Sequence, residues 1–190
     1  MEVGRGRSGW GPAGDTVTAM ETWDAITARR NVREFADRPI SDVNLDRILE
    51  AGRRAPSARN WQPWDFVLVT DRTVLGELSK VWVGAGHVAK SAAAIVLVAP
   101  MLDDERQRDW LHFDHGQAMM TMMIAAADLG IGSGHTAVED QGLARTLLGL
   151  PEDRYAEAIV SLGYPLDRPL TPLKRMDRRP FDDVVHRGRW

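Results

Sequence analysis

Residues 55–69 read APSARNWQPWDFVLV and join a polar loop to a short apolar run. Two prolines restrict the loop, because proline fixes its own φ and keeps the preceding residue out of helical geometry. Between them lie Ser57, Asn60 and Gln62, whose side chains donate and accept hydrogen bonds and therefore suit the edge of a planar heterocycle. The same residue types are common in plain turns, so the loop by itself leaves a binding role and a structural role open.

A second polar segment precedes this loop by about one helix, where residues 29–35 read RRNVREF. Arg29, Arg30 and Arg33 fall within five residues at the predicted end of a helix. The planar guanidinium donates two parallel hydrogen bonds, which suits a phosphate group. Arginines near a helix C-terminus are also stabilising without any ligand, because they face the negative end of the helix dipole. This segment too has both a binding and a structural interpretation.

Helical and strand patterns interleave along the rest of the chain. Apolar residues at helical spacing predict helices over residues 20–30, 41–55, 75–81, 106–129 and 143–148. Short apolar runs predict strands over residues 66–69, 93–98 and 158–163. The glycine-rich residues 130–134 should end the longest helix. Helices that alternate with a few strands are typical of an α+β layer fold.

The helix predicted over residues 106–129 carries apolar residues on two sides. Leu111 and Met122 mark one face of this helix. Met120 and Met123 make the opposite side apolar as well. A helix that is apolar all round should be buried all round. In a chain of 190 residues, burial on both sides predicts a second subunit.

The bulk composition is that of an ordinary globular protein, with 44% apolar residues, 27% charged residues and a formal net charge of −3. With this charge balance, no overall electrostatic attraction to nucleic acid or membranes is expected. No apolar run is long enough to span a bilayer. Because the chain has no cysteine, disulfides, thiolate metal sites and cysteine nucleophiles are excluded. We expect one domain over residues 20–190, a disordered extension over residues 1–19, and a cytoplasmic location.

Taken together, the two polar segments resemble the opening signature of the nitroreductase family of FMN-dependent oxidoreductases. The resemblance continues, in the family's order, through LGIGSG at 129–134, IVSLGYP at 159–165 and RRPFDDVVH at 178–186, and covers roughly residues 20–187. It implies a central mixed β-sheet flanked by helices. It also implies an intertwined homodimer whose C-terminal tail reaches the partner.

The resemblance implies a role for each matching residue. Residues 29–31 should hold the FMN phosphate and ribityl chain, and Arg33 should lie near the pyrimidine end of the flavin. The polar loop should contact flavin, with Ser57 reaching the cofactor of the partner subunit, and the backbone amides of residues 131–134 should approach the isoalloxazine. Two arginines of the tail should close over the phosphate. The predicted flavin-binding residues are Arg29, Arg30, Asn31, Arg33, Ser57, Asn60, Gln62, Ile131, Gly132, Ser133, Gly134, Arg178 and Arg179.

The implied activity is hydride transfer from NAD(P)H to FMN and then to a small electron-poor acceptor, such as a nitroaromatic or a quinone, by a ping-pong mechanism. No acid or base side chain is required, because the flavin carries the chemistry, and Arg33 would stabilise the negative charge of the reduced flavin. Two rivals are an FMN-sequestering protein with little turnover and a flavin-fragmenting or dehalogenating enzyme on the same fold. Open access beside Gly134 and His135 would favour turnover over storage.

Three other patterns have weaker functional interpretations. The glycines of residues 129–134 follow a helix, whereas a dinucleotide-binding fingerprint follows a strand and opens a helix. His112 and His115 lie three residues apart, but no third ligand is evident, so we expect packing or interface histidines and no metal. The basic cluster at 174–179 lacks interleaved aromatic residues, so we expect no nucleic-acid partner.

Overall fold

A computed structural model of the chain describes residues 20–173 and 177–190. Within those ranges the helices are α1 (Thr22–Ala28), α2 (Asp42–Arg53), α3 (Arg72–Leu78), α4 (Glu105–Asp128) and α5 (Gln141–Leu148). The strands are β1 (Asp65–Val69), β2 (Ala93–Pro100), β3 (Gly132–Ala137) and β4 (Arg154–Gly163). Short 3₁₀ segments occupy Ala58–Asn60, Val83–Lys90 and Phe181–Asp183. The extension expected over residues 1–19 lies outside the described residues, as do residues 174–176.

The strands form one sheet in the order β1-β2-β4-β3, and each neighbouring pair is antiparallel. The expected central sheet flanked by helices is therefore confirmed. The parallel part of the mixed sheet that we expected is limited, in the described chain, to a single bridge between Asn31 and Ser133. This bridge lies on the outer edge of β3, so it ties the arginine segment to the sheet.

The two faces of the sheet carry separate apolar cores. On one face α2 and α4 pack through Ile48 and Met122 against Ile95 and Val160 of the central strands. On the other face the side chains of α3, α5 and the 83–90 segment cover the sheet. As predicted from its unbroken apolar run, β2 is buried on both faces, which is why its sequence does not alternate.

Most predicted elements are present with shifted boundaries, and two were missed. Helix α3 begins three residues before the predicted start at residue 75, because the Asp71 carboxylate accepts a hydrogen bond from the Val74 amide and caps the helix. The 3₁₀ segment Val83–Lys90 has no clear apolar period and was not predicted. Residues 132–137 form strand β3, which was also missed. Glycine disfavours strands, but pairing with β4 and close packing override that preference here.

Helix α1 packs through small residues and not through its large ones. Its buried residues are Ala25 and Ala28, whereas the Trp23 side chain is 71% exposed. Trp23 and Ile26, the large apolar residues of this helix, are both exposed in a single chain. The alanines let α1 approach α4 closely, and the Met20 amide donates to Asp128 of α4.

Helix α4 is buried on one side only. Met122 and Met123 are fully buried, whereas Phe113 is 71% exposed and Met120 is 42% exposed. The tail, residues 177–190, is exposed throughout. No helix among residues 20–173 and 177–190 combines the length and the apolar character needed to cross a bilayer.

Candidate functional site

The arginine segment and the glycine strand lie side by side. The Val32 amide donates to the Ser133 carbonyl at 2.9 Å, beside the Asn31–Ser133 bridge. A Cβ atom at Gly134 would lie 2.7 Å from the Val32 carbonyl oxygen, and one at Gly132 would lie 2.7 Å from a Val32 methyl group. Only glycine permits this approach, because real Cβ contacts are not that short. The structure thus brings together two of the predicted parts of the flavin site.

The three arginines of this segment differ in their side-chain partners. Arg30 donates to the Asp167 carboxylate at 2.7 Å and to the Arg168 carbonyl at 3.0 Å, and its side chain is only 16% exposed. The Arg30 hydrogen bond lowers the pKa of Asp167. Within residues 20–173 and 177–190, Arg29 and Arg33 make no side-chain hydrogen bond or ion pair. These two guanidiniums retain their full hydrogen-bonding capacity for an anion.

The buried His87 packs against β3. This histidine was not identified from the sequence. His87 Nδ1 lies 2.8 Å from Ser161 Oγ, and the Ser161 hydroxyl donates to the Gly134 carbonyl at 3.3 Å. Burial lowers the pKa of His87, and the nearby charges of Arg33 and His135 lower it further. A neutral ring in this place supports the backbone of the glycine strand. No periodic pattern could have revealed it, because His87 belongs to the 3₁₀ segment.

The outer edge of β3 presents backbone groups. Backbone groups of successive residues on an edge strand point alternately to the paired side and to the free side. Ser133 faces the free side, since its carbonyl accepts from Val32, and therefore His135 and Ala137 face it as well. Both residues are exposed. By the same alternation the backbone groups of Gly132 and Gly134 face β4, so only part of the predicted 131–134 segment lies on the free edge. Sequence reasoning missed His135 and Ala137 because it did not predict β3.

The predicted polar loop closes on itself. The Gln62 amide donates to Ser57 Oγ at 2.8 Å, and the Gln62 side chain donates to the Asn60 carbonyl at 3.2 Å. Arg59, Asn60 and Gln62 have φ values of 54°, 58° and 55°. These are left-handed conformations that cost non-glycine residues of order 1 kcal/mol or more each, and such residues cluster at functional sites. Ser57, Asn60 and Gln62 therefore lie close together in this loop.

Side chains of helix α4 hold this strained loop through hydrogen bonds. Asp114 Oδ2 accepts the Ala58 amide at 2.9 Å, His115 Nε2 lies 3.0 Å from the Pro63 carbonyl, and the Gln117 side chain reaches the Pro56 carbonyl at 3.5 Å. Asp114 and His115 are both buried. The sequence did not reveal this role of Asp114, because its contact with Ala58 spans 56 residues.

The two histidines of α4 share one carboxylate. His112 Nδ1 lies 2.6 Å from Glu157 Oε1, and His115 Nδ1 lies 2.5 Å from Glu157 Oε2. Burial tends to raise the pKa of Glu157, but hydrogen bonds and charge from His115 and His112 bring it below its usual value. Among the residues that the structure describes, no group of three or more ligating side chains has the geometry of a metal site. His115 is buried, as expected for a packing histidine.

The two parts of the predicted site lie far apart in one chain. Ala127 of α4 packs in the same apolar cluster as Val32, whereas the polar loop is anchored at Asp114. Thirteen residues of α-helix separate Asp114 from Ala127, a distance of about 20 Å. A single chain therefore does not assemble the arginine segment and the polar loop into one pocket.

The tail arginines are also apart from the rest of the predicted site. Arg178 donates to the Asp177 carbonyl at 2.6 Å, and Arg179 donates to the Asp183 carbonyl at 2.9 Å. Both contacts are local to the tail, and both arginines are exposed. Their predicted place over a flavin phosphate is not formed within one chain.

Comparison with known proteins agrees with this architecture. The model of the nitroreductase family matches residues 26–164. The chain belongs to the nitroreductase family. A predicted NADH dehydrogenase/NAD(P)H nitroreductase of Archaeoglobus fulgidus is 38% identical over 170 residues, which span 87% of this chain and 96% of that protein.

Two solved structures place the fold in the same family. An NADH oxidase homologue from Clostridium acetobutylicum has a TM-score of 0.77 at 24% identity, over 88% of this chain and 100% of its own, and supports the fold alone. The NADPH:FMN oxidoreductase of Vibrio harveyi, solved with NAD⁺, has a TM-score of 0.75 at 26% identity, over 87% of this chain and 76% of its own. The family and the fold predicted from the sequence are thus confirmed.

Proposed function

We propose that this protein is an FMN-dependent oxidoreductase that takes hydride from NAD(P)H and reduces a small electron-poor acceptor, such as a nitroaromatic or a quinone, by a ping-pong mechanism. Membership of the nitroreductase family supports a flavin-dependent NAD(P)H oxidoreductase. The observation that carries the proposal is the arginine segment paired with the glycine strand, because it sets an anion-binding group beside an exposed backbone edge.

The residues present fit FMN. At Gly132 and Gly134 even a methyl group would collide with Val32, so these glycines let the arginine segment pack directly against β3. Arg29 and Arg33 have no side-chain partner in the described chain and lie at the start of the same segment. An anionic phosphate and a planar ring system are the chemical features that such a cradle accommodates.

Each part of the chain has a defined task in this proposal. Arg29 and Asn31 bind the phosphate and ribityl chain, and Arg30 joins them through the guanidinium donors that Asp167 does not occupy. Arg33 places a fixed cation at the pyrimidine end of the ring, where it stabilises developing negative charge. When bound, the flavin supplies the hydride-accepting and hydride-donating chemistry. The free edge of β3 at His135 and Ala137 offers amide donors to the ring.

A second copy of the chain completes the site. The polar loop lies about 20 Å from the arginine segment along α4 of its own chain. Beside this loop, Phe113 and Met120 form an exposed apolar surface with Pro56, which suits a partner subunit. In the homodimer, Ser57, Asn60 and Gln62 of one chain contact the flavin of the other, and Arg178 and Arg179 of the tail close over the phosphate.

A visible absorption spectrum tests this function. The purified protein is loaded with FMN, made anaerobic, and given NADPH and then NADH in separate experiments. We expect the flavin band to bleach with at least one nucleotide and to return when a quinone or nitroaromatic is added. Bound flavin that neither nucleotide bleaches would contradict the proposal and favour FMN sequestration. A protein that binds no FMN would contradict both.

A further inference from the structure

The buried imidazole of His115 lies between two acceptors. Its Nε2 atom is 3.0 Å from the Pro63 carbonyl oxygen, and its Nδ1 atom is 2.5 Å from Glu157 Oε2. The side chain is only 3% exposed, so water does not replace either partner. His115 therefore connects Pro63 of the loop to Glu157 of β4.

The titratable groups that face His115 come from its own helix and from β4. Its own helix contributes His112, which shares Glu157, and Asp114, whose carboxylate accepts from the loop. Strand β4 contributes Glu157 and Tyr155, and burial together with the Glu157 charge raises the pKa of Tyr155 to about 12. Tyr155 therefore stays neutral, and carboxylates supply the negative charge beside the ring. The loop side offers a carbonyl oxygen and the ring of Trp64, 6.5 Å away.

This ring holds the end of a loop that is strained. Three residues between Ser57 and Pro63 adopt left-handed backbone conformations, which they would leave if the loop were free. Asp114 holds the start of the loop through the Ala58 amide, and His115 holds its end through Pro63. Helix α4 therefore supplies an anchor at each end of the loop.

We propose that His115, held between Pro63 and Glu157, is a positioning residue that fixes residues 56–64 in the shape that presents Ser57, Asn60 and Gln62 to the flavin of the partner subunit. The anchoring of the loop stands on the geometry of one chain. Its consequence for flavin binding rests on the proposed function.

Two isosteric substitutions separate the two contacts of the ring. In His115→Gln the amide nitrogen replaces Nε2, which retains the donor to Pro63 and loses the contact with Glu157. In His115→Asn the amide nitrogen replaces Nδ1, which retains the contact with Glu157 and loses the donor to Pro63. His112→Asn is the matched control, because His112 touches the same carboxylate from the same helix and, among the described residues, makes no hydrogen bond to the loop.

Hydrogen exchange of residues 56–64, followed by mass spectrometry, reports the anchoring directly. Four amides of this segment are hydrogen-bonded within the loop or to α4: those of Ala58, Asn60, Trp61 and Gln62. We expect His115→Asn to accelerate their exchange about tenfold, as for the loss of one buried hydrogen bond, with His115→Gln nearer the wild type and His112→Asn equal to the wild type. The dissociation constant of FMN should rise in the same order, by about tenfold for His115→Asn.

Distinct results overturn distinct parts. Unchanged exchange of residues 56–64 in His115→Asn would overturn the anchoring role. Exchange that is equal in His115→Asn, His115→Gln and His112→Asn would overturn it as well. Faster exchange with an unchanged FMN dissociation constant would overturn the claim that this loop reaches the flavin. A wild-type protein that binds no FMN would instead be a failure of the proposed function, and the exchange result would still decide the anchoring.

Discussion

The C-terminal end and the middle of α4 carry the two parts of the candidate site, and these parts are held in different ways. At the C-terminal end, the arginine segment is tied to β3 by backbone pairing and by glycines that leave no room for a side chain. Near the middle, the polar loop is held by side chains of α4, chiefly Asp114 and His115. The arginine segment depends on the close packing of main chain. The polar loop depends on hydrogen bonds with Asp114, His115 and Gln117 of α4.

This difference suggests a division of tasks. Close-packed backbone has few alternative arrangements, so it suits the part that defines where a cofactor lies. A strained loop held by polar anchors can shift when an anchor is lost, so it suits the part that adjusts to a partner subunit. Substitutions that affect one part and spare the other test this division.

The largest effect is expected from Gly134→Ala. The new Cβ would lie 2.7 Å from the Val32 carbonyl and 3.1 Å from Ser161 Oγ, so β3 and the arginine segment must move apart. We expect a loss of about 1–3 kcal/mol in the free energy of unfolding and an FMN affinity at least about tenfold weaker. Gly52→Ala is the control, because its Cβ meets only the flexible Met122 side chain. Equal FMN affinities for the two variants would contradict the cradle.

Arg29→Ala tests the charge at the same end without disturbing the backbone. Removing a charged contact to phosphate costs about 1.5–3 kcal/mol, so FMN should bind about tenfold to a hundredfold more weakly. Arg47→Ala is a matched control, since Arg47 pairs with Asp128 at the same end of α4 and is half exposed. Fluorescence titration of FMN measures both. Retention of wild-type affinity in Arg29→Ala would show that the phosphate lies elsewhere.

Asp114→Ala tests the polar loop, which is held near the middle of α4. The buried Ala58 amide would lose its acceptor, which costs about 1–3 kcal/mol. We expect faster hydrogen exchange in residues 56–64 and no change in the exchange of β3. Asp109→Ala, an exposed change on the same helix, should leave both segments unaltered. Faster exchange in β3 would mean that the two parts are not independent.

The smallest effect concerns pH. The folded protein holds the pKa of Glu157 below its usual value of 4.5, so this carboxylate stabilises the fold above that pH. The contribution should disappear as the pH falls from about 4.5 through the folded pKa, because protonation breaks the pairs with His115 and His112. Chemical unfolding of wild type and Glu157→Gln between pH 3 and about 6 measures this. A pH dependence that is the same in both proteins would contradict it.

Local patterns predicted much of the architecture. The apolar runs located β1, β2 and β4, and the prolines and polar residues of 56–63 marked a loop. The anchors of that loop could not be predicted, because Asp114 and His115 act on residues more than fifty positions away. Strand β3 was missed since its glycines disfavour a strand locally and its pairing with β4 is a tertiary effect.

The site residues divide in the same way. Short motifs located the arginine segment and the glycines, but they did not predict the bridge between them or the ion pair of Arg30 with Asp167. His87 lies in a 3₁₀ segment without an apolar period, so nothing in the sequence indicated that it supports Gly134 through Ser161. Contacts that depend on the packing of distant segments are beyond single-sequence patterns.

The central claim is that one flavin site combines the arginine segment of one chain with the polar loop of another. It is tested by a hybrid dimer of an Arg29→Ala chain and an Asp114→Ala chain, co-expressed with different affinity tags and titrated with FMN. We predict one tight FMN site per hybrid dimer, because one site then receives an intact arginine segment and an intact loop, while each parent variant has none. A hybrid without any tight site would contradict the claim, since it would place both parts of each site in a single chain.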